Sequence, residues 1–268
     1  MEVRNIRDHE AEIRERFAEE LKPFHEFANR LFDLIQDITN IFQGRLMADI
    51  PTKDRICVLL AARLANDLVI SMRLAAIGYS NQAAMVAGSG WELGWVLAWI
   101  TIIEDAKAET WYQHKNPKNS FHGQIRQTIE KVINTHYASE PEDGRKNVIE
   151  QHLEVHSEFG MIRHGNPIRL SMQASSHNSV APQIGPMGDE FGLLLTKHVL
   201  HHLYERSFHA LTAWFNLHAD DQEFAAVTFT LQKMMMDWVA FEKAEMQKHA
   251  ASPSDQTEKV SDADDQRP

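Results

Sequence analysis

Between residues 17 and 41, apolar side chains fall at Phe17, Leu21, Phe24, Phe27, Leu31, Leu34, Ile38 and Ile41, recurring every three or four positions. That spacing winds them onto one stripe of an α-helix, whereas a half-buried strand would need strict alternation. The same period returns along most of the chain. It predicts helices over about residues 4–43, with Pro23 able to divide the first into two, then from 52 to near Gly78, 82–108, 120–136, 145–162, 189–218, and from 220 or 221 to 249. Residues 109–120 read as an irregular connection, and the stretch 165–188, rich in Pro, Gly and Ser, as one long loop. With only 12 Gly and 9 Pro in 268 residues, the many tight turns of a sandwich or barrel are disfavoured. The expectation is an all-α, antiparallel bundle of about seven helices. It forms one domain over residues 1–250, followed by a disordered acidic tail over 251–268.

A net charge of −11 repels phosphate backbones, and no run of five or more Lys/Arg offers a local exception, so no nucleic-acid partner is expected. Residues 1–16 alternate acids and bases without an apolar core, unlike a signal peptide. The longest uncharged apolar stretch, 93–103, is short for a bilayer. Both point to a cytoplasmic protein with no membrane partner. The single cysteine, Cys57, sits among Ile56, Val58, Leu59 and Leu60 and reads as a small buried hydrophobe.

The third helix carries Gly88-Ser89-Gly90-Trp91-Glu92-Leu93-Gly94. Glycine costs a helix interior about 1 kcal/mol relative to alanine, so these three predict close approach by neighbouring helices. Glu92 is the only charge between Arg73 and Glu104, and a carboxylate on so apolar a helix needs a partner. The second helix offers Arg63, Asn66 and Arg73 along one polar line. Pairing of Glu92 with Arg63 or Arg73 is therefore expected, with Asn66 completing the hydrogen bonds and Trp91, Trp95 and Trp99 rimming a pocket. Arg163-His164-Gly165-Asn166-Pro167 reads first as a helix stop, whose His164 and Asn166 would join the cluster by aiming at Glu92 or His201.

The sixth helix places His198, His202, Glu205 and His209 four, three and four residues apart, the stacking that divalent-metal ligands require. Helical bookkeeping puts Leu200, Tyr204, Leu211 and Trp214 on the apolar face and this stripe nearly opposite, with His201 at the boundary. A water-facing stripe holding no metal is the expectation, and no cofactor is expected. His152 and His156, flanked by acids, read as a solvated face as well.

Taken as an ensemble, Arg73-Leu74-Ala75-Ala76-Ile77-Gly78-Tyr79 into Gln82-Ala83-Ala84, then Glu92, residues 108–117 with Trp111, Phe121, and Arg163-His164-Gly165-Asn166-Pro167 form a pattern over roughly residues 55–215. It resembles a group of uncharacterised bacterial all-helical proteins, and the resemblance implies a fold without an activity. Arg4 and His9 match the spacing of a more distant likeness, the helical-bundle ribonucleases of prokaryotic defence and toxin systems. The functional expectation is a binding or interaction module for a protein or small-molecule partner, with homodimerisation through the aromatic helices one arrangement. A metal-independent ribonuclease and a His-rich metal-binding bundle are the alternatives.

Overall fold

The computed structural model describes residues 5–113, 125–163 and 186–251, and these form a helical bundle with no strand among them. Eight α-helices are present among the described residues: α1 (Ile6–Ile41), α2 (Thr52–Ala76), α3 (Ser80–Ile102), α4 (Asp105–Tyr112), α5 (Ile125–His136), α6 (Glu142–Arg163), α7 (Glu190–Phe215) and α8 (Gln222–Ala251). The chain divides into two units, residues 1–231 and 232–268, and the division falls inside α8. In the smaller unit Trp238 packs on Phe241, with ring centroids 5.4 Å apart.

Three details differ from the sequence reading. Helix α1 runs unbroken through Pro23. The predicted third helix is interrupted after Ile102, where Ile103 and Glu104 adopt extended backbone, and a separate helix, Asp105–Tyr112, carries on past 108 into the start of the expected irregular connection. The predicted long loop and acidic tail lie almost wholly outside the described residues.

Helix α3 is the hub, packing most extensively against α2 and α7 and also meeting α5 and α6. By length and composition it would suit a bilayer, yet 67% of its most apolar window is buried inside the protein. A helix enclosed on all sides loses its polar face for the same reason a membrane span does. The expected close approaches are present: a Cβ at Gly88 would lie 3.0 Å from Phe159 of α6, and one at Gly90 would lie 2.9 Å from Leu203 of α7.

Polar contacts pin both ends of this assembly. At one end Gly78 closes α2 with φ +85°. There Tyr79 N–H reaches back to the Leu74 carbonyl at 2.9 Å, a left-handed cap that turns the chain directly into α3. Ser80 Oγ then donates to the Gly192 carbonyl at 2.9 Å and receives the Thr196 hydroxyl at 3.0 Å, fastening α3 to α7. At the other end the buried Asp54 carboxylate receives Trp214 Nε1–H at 2.8 Å and lies 2.8 Å from His218 Nε2. Cys57, one turn beyond Asp54, is fully buried, and burial together with the nearby carboxylate pushes its thiol pKa up.

Removing the Asp54 carboxylate would strand a buried indole N–H. We expect Asp54→Ala to cost about 3 kcal/mol of unfolding free energy, measured by urea titration followed by circular dichroism.

Candidate anion-binding site

Residues Val199, Leu203, Arg206, Ala210 and Ala213 of α7 follow one another at four, three, four and three positions, and all are buried. One guanidinium therefore sits on an otherwise apolar stripe aimed at α3. Room for it comes from Gly94, where a Cβ would stand 2.7 Å from Arg206 Cγ. Arg206 is 7% exposed and places its guanidinium carbon 3.9 Å from the Trp95 ring centroid, a cation–π contact. Among the described residues no carboxylate forms a close ion pair with it, the neighbouring Glu205 and Tyr137 acting only through their electrostatic field, and its Nε is buried without an acceptor.

Arg206 lines a cleft of about 250 Å³ formed by α3, α5, α6 and α7. Trp95, His152 and His209 form its inner wall, His136 and Tyr137 its more exposed rim, and Thr212 and Asn216 further polar edges. The lining contains no Asp or Glu. His152 is held edge-on against Trp95, with ring centroids 4.8 Å apart. Burial, then Arg206 and His209, lower the His152 pKa to about 4. Burial and then Arg206 bring His209 to about 4 as well, and the same two causes lower His136. Burial presses Arg206 down only to about 10, so it remains a cation at neutral pH. The cleft thus presents one fixed positive charge among imidazoles that are neutral at physiological pH and able to donate N–H groups.

Of the described residues expected from sequence to form one cluster, Arg63 and Glu92 share a pocket, while Asn66, Arg73 and His201 lie apart from it. Glu92 is buried, and its Oε1 lies 3.6 Å from His156 Nδ1 on α6. Arg63 instead bonds the buried Asp67 one turn along α2, at 2.8 Å, because an intrahelical carboxylate is nearer than one on α3. Arg63 and Glu92 do line one pocket of about 280 Å³, together with Leu60, Leu93 and Trp111. Asn66 is exposed, and Arg73 lies in another groove, between α1 and α2, with Arg14 and Lys22. His201 neighbours Glu205 on its own helix. His164, Asn166 and Arg4 lie outside the described residues, and His9 Nδ1 is 3.6 Å from Glu12.

Trp91 and Trp95 are core residues facing α6 rather than the rim of the Glu92 pocket. The Trp91 ring stacks on His156 at 6.1 Å and 14°. His152 and His156 are therefore half-buried against tryptophan, not a solvated face. The α7 stripe is also not uniformly water-facing: His198 is exposed, while His202 and His209 turn inward. Burial, helped by His198, His201 and His152, lowers His202 to about 3. Arg206 itself escaped the sequence reading, although its place within the Val199-Leu203-Ala210-Ala213 stripe marks a charge at a core position.

Comparison with family models, with curated proteins and with solved structures finds no match for this chain.

The depressed imidazoles make stability depend on pH with a definite sign. Unfolded histidine titrates near 6.5, while His152 and His209 titrate near 4 in the fold. Between those values the unfolded chain binds the extra protons, so stability is complete above 6.5 and declines as pH falls toward 4. Melting temperatures recorded across this window should drop, and the drop should be shallower in His152→Gln/His209→Gln.

Proposed function

We propose that this protein is a binding module for a small anionic molecule, seated on Arg206 in the cleft between α3, α5, α6 and α7. One observation carries the reading: a buried guanidinium with no acceptor among the described residues, lining an open cleft free of carboxylates. Placing an unpaired cation in the interior is costly, and a fold can be expected to tolerate it where a ligand supplies the missing charge. The planar fork of arginine matches phosphate or carboxylate oxygens, and the imidazoles of His136, His152 and His209 offer additional donors. A cleft of about 250 Å³ is matched to a compact ligand rather than to a macromolecule.

This retains the binding-module class expected from sequence while moving its centre from Glu92 to Arg206. A cytoplasmic setting fits a chain whose single cysteine is a buried thiol and whose most apolar helix is enclosed by its neighbours.

The test is thermal stability and calorimetric binding with sodium phosphate and sodium pyrophosphate against sodium chloride at equal ionic strength. Wild type should show a saturable rise in melting temperature with phosphate or pyrophosphate, and Arg206→Met should show none. Without added anion, Arg206→Met should melt no lower than wild type. Loss of the Trp95 contact, worth about 1 kcal/mol, is offset by removal of an unpaired buried charge. An equal anion response in both proteins, or none in wild type, overturns the proposal.

A further inference from the structure

Beyond the Arg206 cleft, and sharing no residue with its lining, α7 carries a second cluster. His201, His202 and Glu205 each offer one ligand atom, and the three atoms lie within 4.8 Å of one another. Glu205 Oε2 stands 3.9 Å from His201 Nε2 and 3.9 Å from His202 Nδ1. One turn earlier, the His198 ring lies edge-on to His202 with centroids 4.6 Å apart, and its Nε2 is 2.9 Å from Glu158 Oε2 of α6. Three imidazoles and two carboxylates thus converge where α6 meets α7, and all three ligand atoms of the inner set come from one turn of a single helix.

We propose that His201, His202 and Glu205 bind one divalent transition-metal ion of the zinc type, with His198 a further imidazole one turn away. A zinc ion holds nitrogen and oxygen ligands at about 2.1 Å, which in tetrahedral geometry sets them roughly 3.4 Å apart. The 3.9 Å separations need only a small inward rotation of side chains that remain partly exposed. Imidazole with carboxylate selects zinc, cobalt or nickel over magnesium or calcium, which take oxygen alone. The helix supplies the pre-organisation: His201 and Glu205 are four apart, and His202 and Glu205 three apart, so all three share one face. Three protein ligands leave a coordination position open to water or to a fourth group.

Tag-free full-length chain, stripped with chelator and dialysed, is titrated calorimetrically with zinc chloride and then assayed for bound zinc by elemental analysis. The expected result is a single tight site per chain, with affinity lowered about tenfold or more in Glu205→Gln and in His202→Ala. His9→Ala, a histidine on α1, should leave it unchanged. Glu205→Gln preserves side-chain volume, so its loss of zinc at an unchanged circular dichroism spectrum reports ligation rather than folding. Should His202→Ala fail to fold, His201→Gln takes its place. No retained zinc in wild type, or retention equal in wild type and the α7 variants, overturns the assignment.

Discussion

Helix α3 is apolar around its whole circumference and is enclosed by α2, α5, α6 and α7. Such a helix is stable only where neighbours cover most of its surface, and small residues are what let them come close enough to do so. Gly88, Gly90 and Gly94 receive Phe159, Leu203 and Arg206 respectively, each at a distance a methyl group would violate. The last of these contacts links fold and site. The close packing that buries α3 also seats the aliphatic stem of Arg206 against a glycine and lays its guanidinium over Trp95.

A cation in that position works against folding. Burial disfavours its charged form, and a single cation–π contact worth on the order of 1 kcal/mol cannot replace a hydrogen-bonded carboxylate. The surrounding histidines respond in the way electrostatics requires. Desolvation is the larger cause and the guanidinium field adds to it, so His136, His152 and His209 are all held toward their neutral forms. The result is a cleft with one concentrated positive charge and several polarizable donors, in a protein whose overall charge is −11. Local field and net charge point in opposite directions, which favours a small anion that can enter the cleft over a polyanion that must also approach the acidic surface.

Where the acids of this bundle are buried, each faces a donor or an imidazole. Asp67 takes Arg63 from its own helix, Asp54 takes the Trp214 indole and lies beside His218, and Glu92 faces His156. The Asp54 contacts tie the start of α2 to the end of α7, and α6 contributes to the Glu92 surroundings through a histidine that the sequence pattern had placed in water. The inward turn of α6 has a simple cause: His152, His156 and Phe159 share one face of that helix, and their rings pack against Trp91 and Trp95.

The amino-acid sequence by itself determined the helical class, because apolar spacing of three and four is a local property that any packing must respect. It also marked the glycines of α3 as points of contact and Cys57 as a core residue. It missed the break at residues 103–104 and the helical residues 109–112, and it did not foresee His156 beside Glu92 or Asp67 beside Arg63. Partner choice depends on which helix faces which, and at equal chemistry a nearby intrahelical carboxylate captures an arginine before a distant one. Only the tertiary structure decided that Arg206 stands unpaired beside three histidines from three helices, because nothing in the spacing of α7 says that α5 and α6 close over it.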